Sequence, residues 1–271
     1  MRFRNYTYFT ACLLGAMALS AVPFSAVAAN SADDAFDKAQ RALSAKDYNT
    51  AVSAFEEALT ADPDSLRNGS EYRQATIHKA RAAKPRSEGA LPDFDRAISF
   101  FEKLTTANPK APTAFLNYGF AYVDKIPAAG SITQVILANT ALGFFTKSIE
   151  LKPSWIALYT RGNSYLYWPK IFGRAGLGVA DLERAYAMQK ADTKRTYHVR
   201  VFISLGDAYW KVDNLEKARA TWKEGLVQFP GNKPLADRIS KEGDALGEYI
   251  DSVLDPNKRV DTDLRELWMT Q

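Results

Sequence analysis

The chain has 271 residues, 46% of them hydrophobic, with 35 Lys and Arg against 31 Asp and Glu. A net charge of +4 over that length is no electrostatic footprint for nucleic acid or an anionic membrane, and the apolar content excludes a disordered chain. The one cysteine, Cys12, lies near the N-terminus, which excludes disulfide frameworks and thiolate chemistry from everything after it.

The N-terminus reads as a segment separate from the fold. Arg2 and Arg4 form a basic head, Thr10 to Val22 is a mostly apolar run, and Ala26-Val27-Ala28-Ala29 offers small residues for cleavage. That order predicts a secretory signal over 1–29, and the run is shorter than the ~20 residues of a comfortable membrane span. Cys12 precedes most of the run, where a lipoprotein cysteine would follow it. Losing Arg2 and Arg4 takes the basic count from 35 to 33 against 31 acidic residues. A cysteine-free exported chain suits a bacterial periplasm, the expected location.

From Ser31 onward the apolar spacing predicts helices near 32–45, 48–61, 69–83, 93–107, 112–124, 132–151, 154–167, 177–190, 196–211, 214–228 and 233–253. Ala83 to Pro92 reads as a longer loop, and Asp255-Pro256-Asn257 ends the last helix. One pattern recurs: a small residue, an aromatic four positions on, another small residue, then proline. Ala51, Phe55, Ala58 and Pro63 carry it, as do Ala141, Phe145, Ser148 and Pro153, and Ala218, Trp222, Gly225 and Pro230. Ala97, Phe101, Leu104 and Pro109 carry it with one larger residue, and Gly178, Leu182 and Ala185 carry it with Lys190 in place of proline. The preceding helices repeat too, since Phe115, Tyr118, Gly119 and Tyr122 reproduce the spacing of Phe202, Leu205, Gly206 and Tyr209.

These residues resemble the tetratricopeptide repeat family over most of the chain from Ser31 to about Pro234. The resemblance implies an all-α fold: a right-handed superhelical array of about five helix-turn-helix units over 30–254, closed by a C-terminal capping helix. A tail follows over 255–271, with a short apolar stripe at Leu264, Leu267 and Trp268. It also implies that the first helix of each unit lines a concave face. Carried onto this sequence, that lining includes Asn117 and Phe120, then Tyr159, Asn163 and Tyr167, then Trp210. Two readings stand for these side chains: a groove for a peptide or small organic ligand, or filler for a tight superhelix. Some family members clamp a partner's terminal carboxylate with lysine. Here the matching positions carry Phe36, Leu116, Tyr159 and Ile203, so that mode is not expected.

Three further features carry weight. Residues 131–151 form a helix with Ser131 as its expected N-cap and no charge before Lys147. It reads as core or as a protruding surface for self-association. The segment 168–178 holds Trp168, Ile171, Phe172 and Leu177 among three glycines, and is expected to fold those apolar residues back over the groove rim as a plug or gate. No lysine-serine or lysine-threonine pair follows its glycines, which argues against a phosphate loop. Asn68-Gly69-Ser70 reads as a turn.

His78 and His198 lie far apart, and no metal-ligand spacing or nucleophile motif accompanies them. The expectation is therefore no catalytic residue, no metal and no cofactor. The expected function is a periplasmic scaffold or assembly factor that binds another protein or peptide segment through the groove. The alternative is a small-ligand-binding accessory of a periplasmic transport system, similar to the repeat-containing partners of tripartite transporters.

Overall fold

The computed structural model describes residues 24–83, 91–255 and 262–269, with backbone alone for 24–30 and 83. The signal read over 1–29 lies mostly outside the described residues. The same holds for most of the Ala83–Pro92 loop and for Pro256-Asn257.

Among the described residues the chain is helical throughout: α1 (Phe24–Ser44), α2 (Tyr48–Ala61), α3 (Leu66–Ala83), α4 (Leu91–Ala107), α5 (Pro112–Lys125), α6 (Ser131–Leu151), α7 (Trp155–Ser164), α8 (Ala175–Lys190), α9 (Val199–Lys211), α10 (Leu215–Gln228), α11 (Lys233–Ser240) and α12 (Gly243–Val253). Each helix packs on its neighbours in the chain, and α3 also meets α5 while α7 meets α9. That is a stack of helical hairpins with its first helices facing one side.

Local chemistry sets the hairpins. The turns into α2 and α10 are built alike: Lys46 and Asp213 take left-handed backbone (φ 60° and 61°), and the next residue caps the helix. Asp47 accepts from the Thr50 amide at 3.1 Å, and Asn214 from the Lys217 amide at 3.1 Å. Small residues then let paired helices close. A Cβ on Gly119 would come 2.5 Å from the Phe145 ring, one on Gly206 2.1 Å from the Trp222 indole nitrogen, and one on Gly178 2.9 Å from the Gly162 carbonyl. The repeat aromatics Phe55, Phe101, Phe145 and Trp222 are all fully buried there.

The core divides at α5. Ala114, Tyr118 and Ala121 pack with α1–α4, while Leu116 and Phe120 pack with α6–α12 and with Leu264 and Leu267 of the tail. One helix thus joins two apolar clusters through opposite faces.

Several expectations need correction. The capping helix is two helices, α11 and α12, separated at Lys241-Glu242 ahead of Gly243, whose φ of 51° breaks the run. Gly130, not Ser131, is the N-cap of α6, and no side chain caps it. Asn68-Gly69-Ser70 is no turn: it lies inside α3, with Asn68 and Ser70 buried and Gly69 pressed on Asn117. Helix α6 is core in part only. Leu137, Leu142, Phe145 and Ile149 are buried, but Ile132, Val135 and Ile136 at its start are exposed.

The segment 168–178 does not fold its apolar residues back. Ile171 is 89% exposed, and Phe172 and Leu177 are exposed as well. Of the four large apolar residues only Trp168 is sheltered, packed against the core with Arg174 stacked 3.7 Å from its ring centre. The reason is local: Gly173 turns the chain at φ 63°, and Gly176 and Gly178 are already helical in α8. Residues 170–172 are left as one 3-10 turn pointing outward.

Candidate functional site

Phe120 and Val123 of α5, Trp155, Ile156, Tyr159, Thr160, Asn163 and Ser164 of α7, and Arg200 of α9 line one cleft. The remaining wall is the chain's own tail: Asp263, Leu264, Glu266 and Leu267. Only first helices of the hairpins contribute, so this is the inner face of the stack. The space left beside the tail is about 60 Å³. That suits water and is well below the ~300 Å³ of a typical small-molecule pocket.

The tail is held by charges that are themselves buried. Arg73 of α3 is fully buried and meets Asp124 of α5 at 2.9 Å. Its Nε donates to Asn117 Oδ1 at 3.1 Å, its Nη2 donates to the Thr262 carbonyl at 3.1 Å, and its guanidinium lies 4.5 Å from the Phe120 ring centre. The Thr262 hydroxyl donates to Asp124 Oδ1 at 2.6 Å. Burial pushes the Asp124 carboxyl above its ordinary range, and Arg73 and Thr262 oppose that. Further along the tail, Arg265 donates Nε and Nη2 to the two oxygens of fully buried Glu71, at 2.6 and 2.9 Å. Gln40 of α1 donates to the same carboxylate at 2.9 Å. Arg200 pairs with Glu266 at 2.6 Å. Leu264 and Leu267 fill the apolar floor between these pairs.

The six expected lining residues separate into four placements. Phe120, Tyr159 and Asn163 do line the cleft. Tyr159 stacks on Trp155 at 5.1 Å, and Asn163 Oδ1 accepts from Ser204 at 2.9 Å. Burial raises the Tyr159 phenol, opposed by Arg200, and raises Tyr167 to about 12. Tyr167 sits beside the cleft, in the 3-10 turn after α7, with Asn163 as its hydrogen-bond partner. Asn117 is behind the cleft wall, 1% exposed, where it orients Arg73. Trp210 is elsewhere: its ring lies 3.6 Å from a Cβ built on Gly247, against α12.

The sequence reading missed Glu71, Arg73, Asp124, Trp155 and Arg200. A signal for part of this exists. Setting Tyr72 against Phe115 places Arg73 and Gln74 opposite Leu116 and Asn117, on the inner face of the second unit.

The architecture defines a helical-repeat protein. Residues 34–65 match the tetratricopeptide repeat model. A tetratricopeptide repeat protein 8 from Caenorhabditis elegans is 23% identical over 139 residues, which is 51% of this chain and 28% of that protein. The chain thus aligns with little more than a quarter of that relative. A thermophilic tetratricopeptide protein from Thermus thermophilus superposes with a TM-score of 0.50 at 18% identity, over 79% of this chain and 98% of the other. A tetratricopeptide repeat protein from Parabacteroides merdae gives 0.49 at 13% identity, over 83% and 87%. Residues 34–65 thus carry a tetratricopeptide repeat, and the Thermus superposition shows the same helical-repeat fold over 79% of this chain.

Among the described residues no group of three or more His, Cys, Asp and Glu could hold a metal ion, and no helix is long and apolar enough to cross a membrane.

Proposed function

We propose that this protein is an exported scaffold that binds another protein through the inner face of its stack, with no covalent step. Scaffolding is the common use of the tetratricopeptide fold, and one observation carries the reading here. The inner face already holds a polypeptide segment, residues 262–264 with the 3-10 turn that follows, through a backbone carbonyl, two ion pairs and two leucines. Aromatic and arginine side chains such as Trp155, Tyr159 and Arg200 are the types that dominate protein-binding surfaces.

Export to a bacterial periplasm belongs to the same proposal, supported by the Arg2/Arg4 head, the apolar run and the alanines at 26–29. So does self-association through 131–151, supported by the exposure of Ile132, Val135 and Ile136. The transport-accessory reading is the weaker one, because a space of about 60 Å³ beside the tail leaves no room for an organic ligand while the tail is seated.

The test is site-specific crosslinking in cells from a photoreactive residue at Thr160, on the cleft. A discrete protein adduct that disappears with Tyr159→Ala supports the scaffold. Adducts that are absent, or that form equally from a probe at exposed Val227, overturn it.

A further inference from the structure

The tail is bound as a ligand is bound, and it is an imperfect one. Arg73 and Glu71 grip it from the same helix, α3. At about 100° per residue, Ser70 and Gln74 fall between those two on the helix circumference, facing the same segment. Both are buried, and neither Ser70 Oγ nor Gln74 Nε2 has a hydrogen-bond partner. Trp268 Nε1, at the far end of the tail, is also buried without one. Native proteins seldom leave such groups unmet.

We infer that residues 262–269 are a built-in stand-in for a partner's segment, and that the inner face selects a stretch of another protein, turned as the tail is at Arg265–Leu267, with a hydroxyl residue, a leucine, a basic residue, an acidic residue and a leucine in the spacing of Thr262, Leu264, Arg265, Glu266 and Leu267. The inference rests on the scaffold reading and gives its partner a chemistry. Arg73 reads the main-chain carbonyl of the first position, and Asp124 beside it accepts from a hydroxyl on that same residue. Glu71 demands a cation, since it is a buried carboxylate with two oxygens presented to a planar fork. Arg200 demands an anion one residue on. A partner that adds a polar group over Ser70 and Gln74 gains a contact the tail lacks, and so displaces the tail.

The test uses the full chain with Arg265→Glu and Leu267→Asp, which release the tail, and a labelled peptide Thr-Asp-Leu-Arg-Glu-Leu-Trp-Met. The expected result is saturable binding at least ~10-fold tighter than to the unaltered chain, where the tail competes. Glutamate at the peptide's arginine should abolish it, and Glu71→Gln in the released chain should weaken it at least ~10-fold; a difference of that size is about 1.4 kcal/mol. No binding to a released chain of unchanged helicity, or equal binding to both chains, overturns the inference. If the released chain loses helicity, excess peptide on the unaltered chain must raise amide exchange at 262–269 alone, and unchanged exchange overturns it. Dimers that form only with the released chain, and that excess peptide dissociates, would make a second copy the occupant and overturn it too. Peptide binding without any cellular adduct sinks the scaffold reading alone. Adducts indifferent to tail release sink this inference alone.

Discussion

Arg265 donates two hydrogen bonds to Glu71, a fully buried carboxylate 194 residues earlier in the chain. A buried carboxylate needs a partner, because leaving it charged and unpaired in low dielectric is costly. Glu71 therefore makes the tail part of the array's interior, although Arg265 itself keeps about a third of its side chain in solvent.

The two aromatic residues at the ends of the expected lining should behave differently. Tyr159→Ala removes cleft wall and the stack on Trp155, and is expected to abolish partner adducts at a stability cost of ~2–4 kcal/mol. Trp210→Ala removes packing against α12 and should lower stability by ~3 kcal/mol without losing adducts. The crosslinking assay separates the two at similar stability.

Asp207 and Arg238 form a buried bidentate pair at 2.6 and 2.7 Å that ties α9 to α11. Burial pushes the Asp207 carboxyl up, opposed by Arg238. Asp207→Ala leaves a guanidinium buried without its counter-ion and should cost ~3–5 kcal/mol by urea unfolding. Replacing both by leucine and methionine should cost less than the single change.

Glycines divide by what surrounds them. Gly206→Ala drives a methyl to 2.1 Å from the fully buried Trp222 indole and should destabilise by ~1–3 kcal/mol. Gly143, inside α6, has nothing within 4 Å of an added Cβ. Gly143→Ala should stabilise by ~0.5–1 kcal/mol, through helix propensity alone. Opposite shifts in melting temperature check the pair.

His198 is buried against Trp155 and Tyr197, and burial lowers its imidazole below the ordinary 6.5. The unfolded chain then takes up a proton at a higher pH than the folded chain does. Its contribution is intact above pH ~6.5 and is lost as pH falls from there through the depressed folded value. Melting temperature should drop from pH ~7.5 to pH ~5.5, and His198→Asn should flatten that drop.

The stack was legible because its signal is local. Gly119, Gly206, Phe145 and Trp222 recur at fixed spacing, and each does in the fold what the spacing implies. The cleft was half legible: Phe120, Tyr159 and Asn163 followed from register. The tail was seen as an apolar stripe, but its destination was not. Pairing Thr262 with Asp124, or Arg265 with Glu71, depends on a path through the hollow of the stack that no periodicity encodes. The segment at 168–178 misled for a related reason. Exposing Ile171 and Phe172 costs free energy, yet Gly173 fixes a turn that aims them outward.

Repeat stacks ordinarily fold by growth from any point, since each unit needs only its neighbours. Here the second unit's Arg73 and Glu71 wait for residues 189 and 194 positions further on, and Asp124 waits for one 138 positions on. Such distant contacts raise contact order and slow folding. On the ribosome the inner face of the second unit cannot reach its final state until residues 262–265 have emerged. A chain cut short would carry its buried charges open to the first segment it meets.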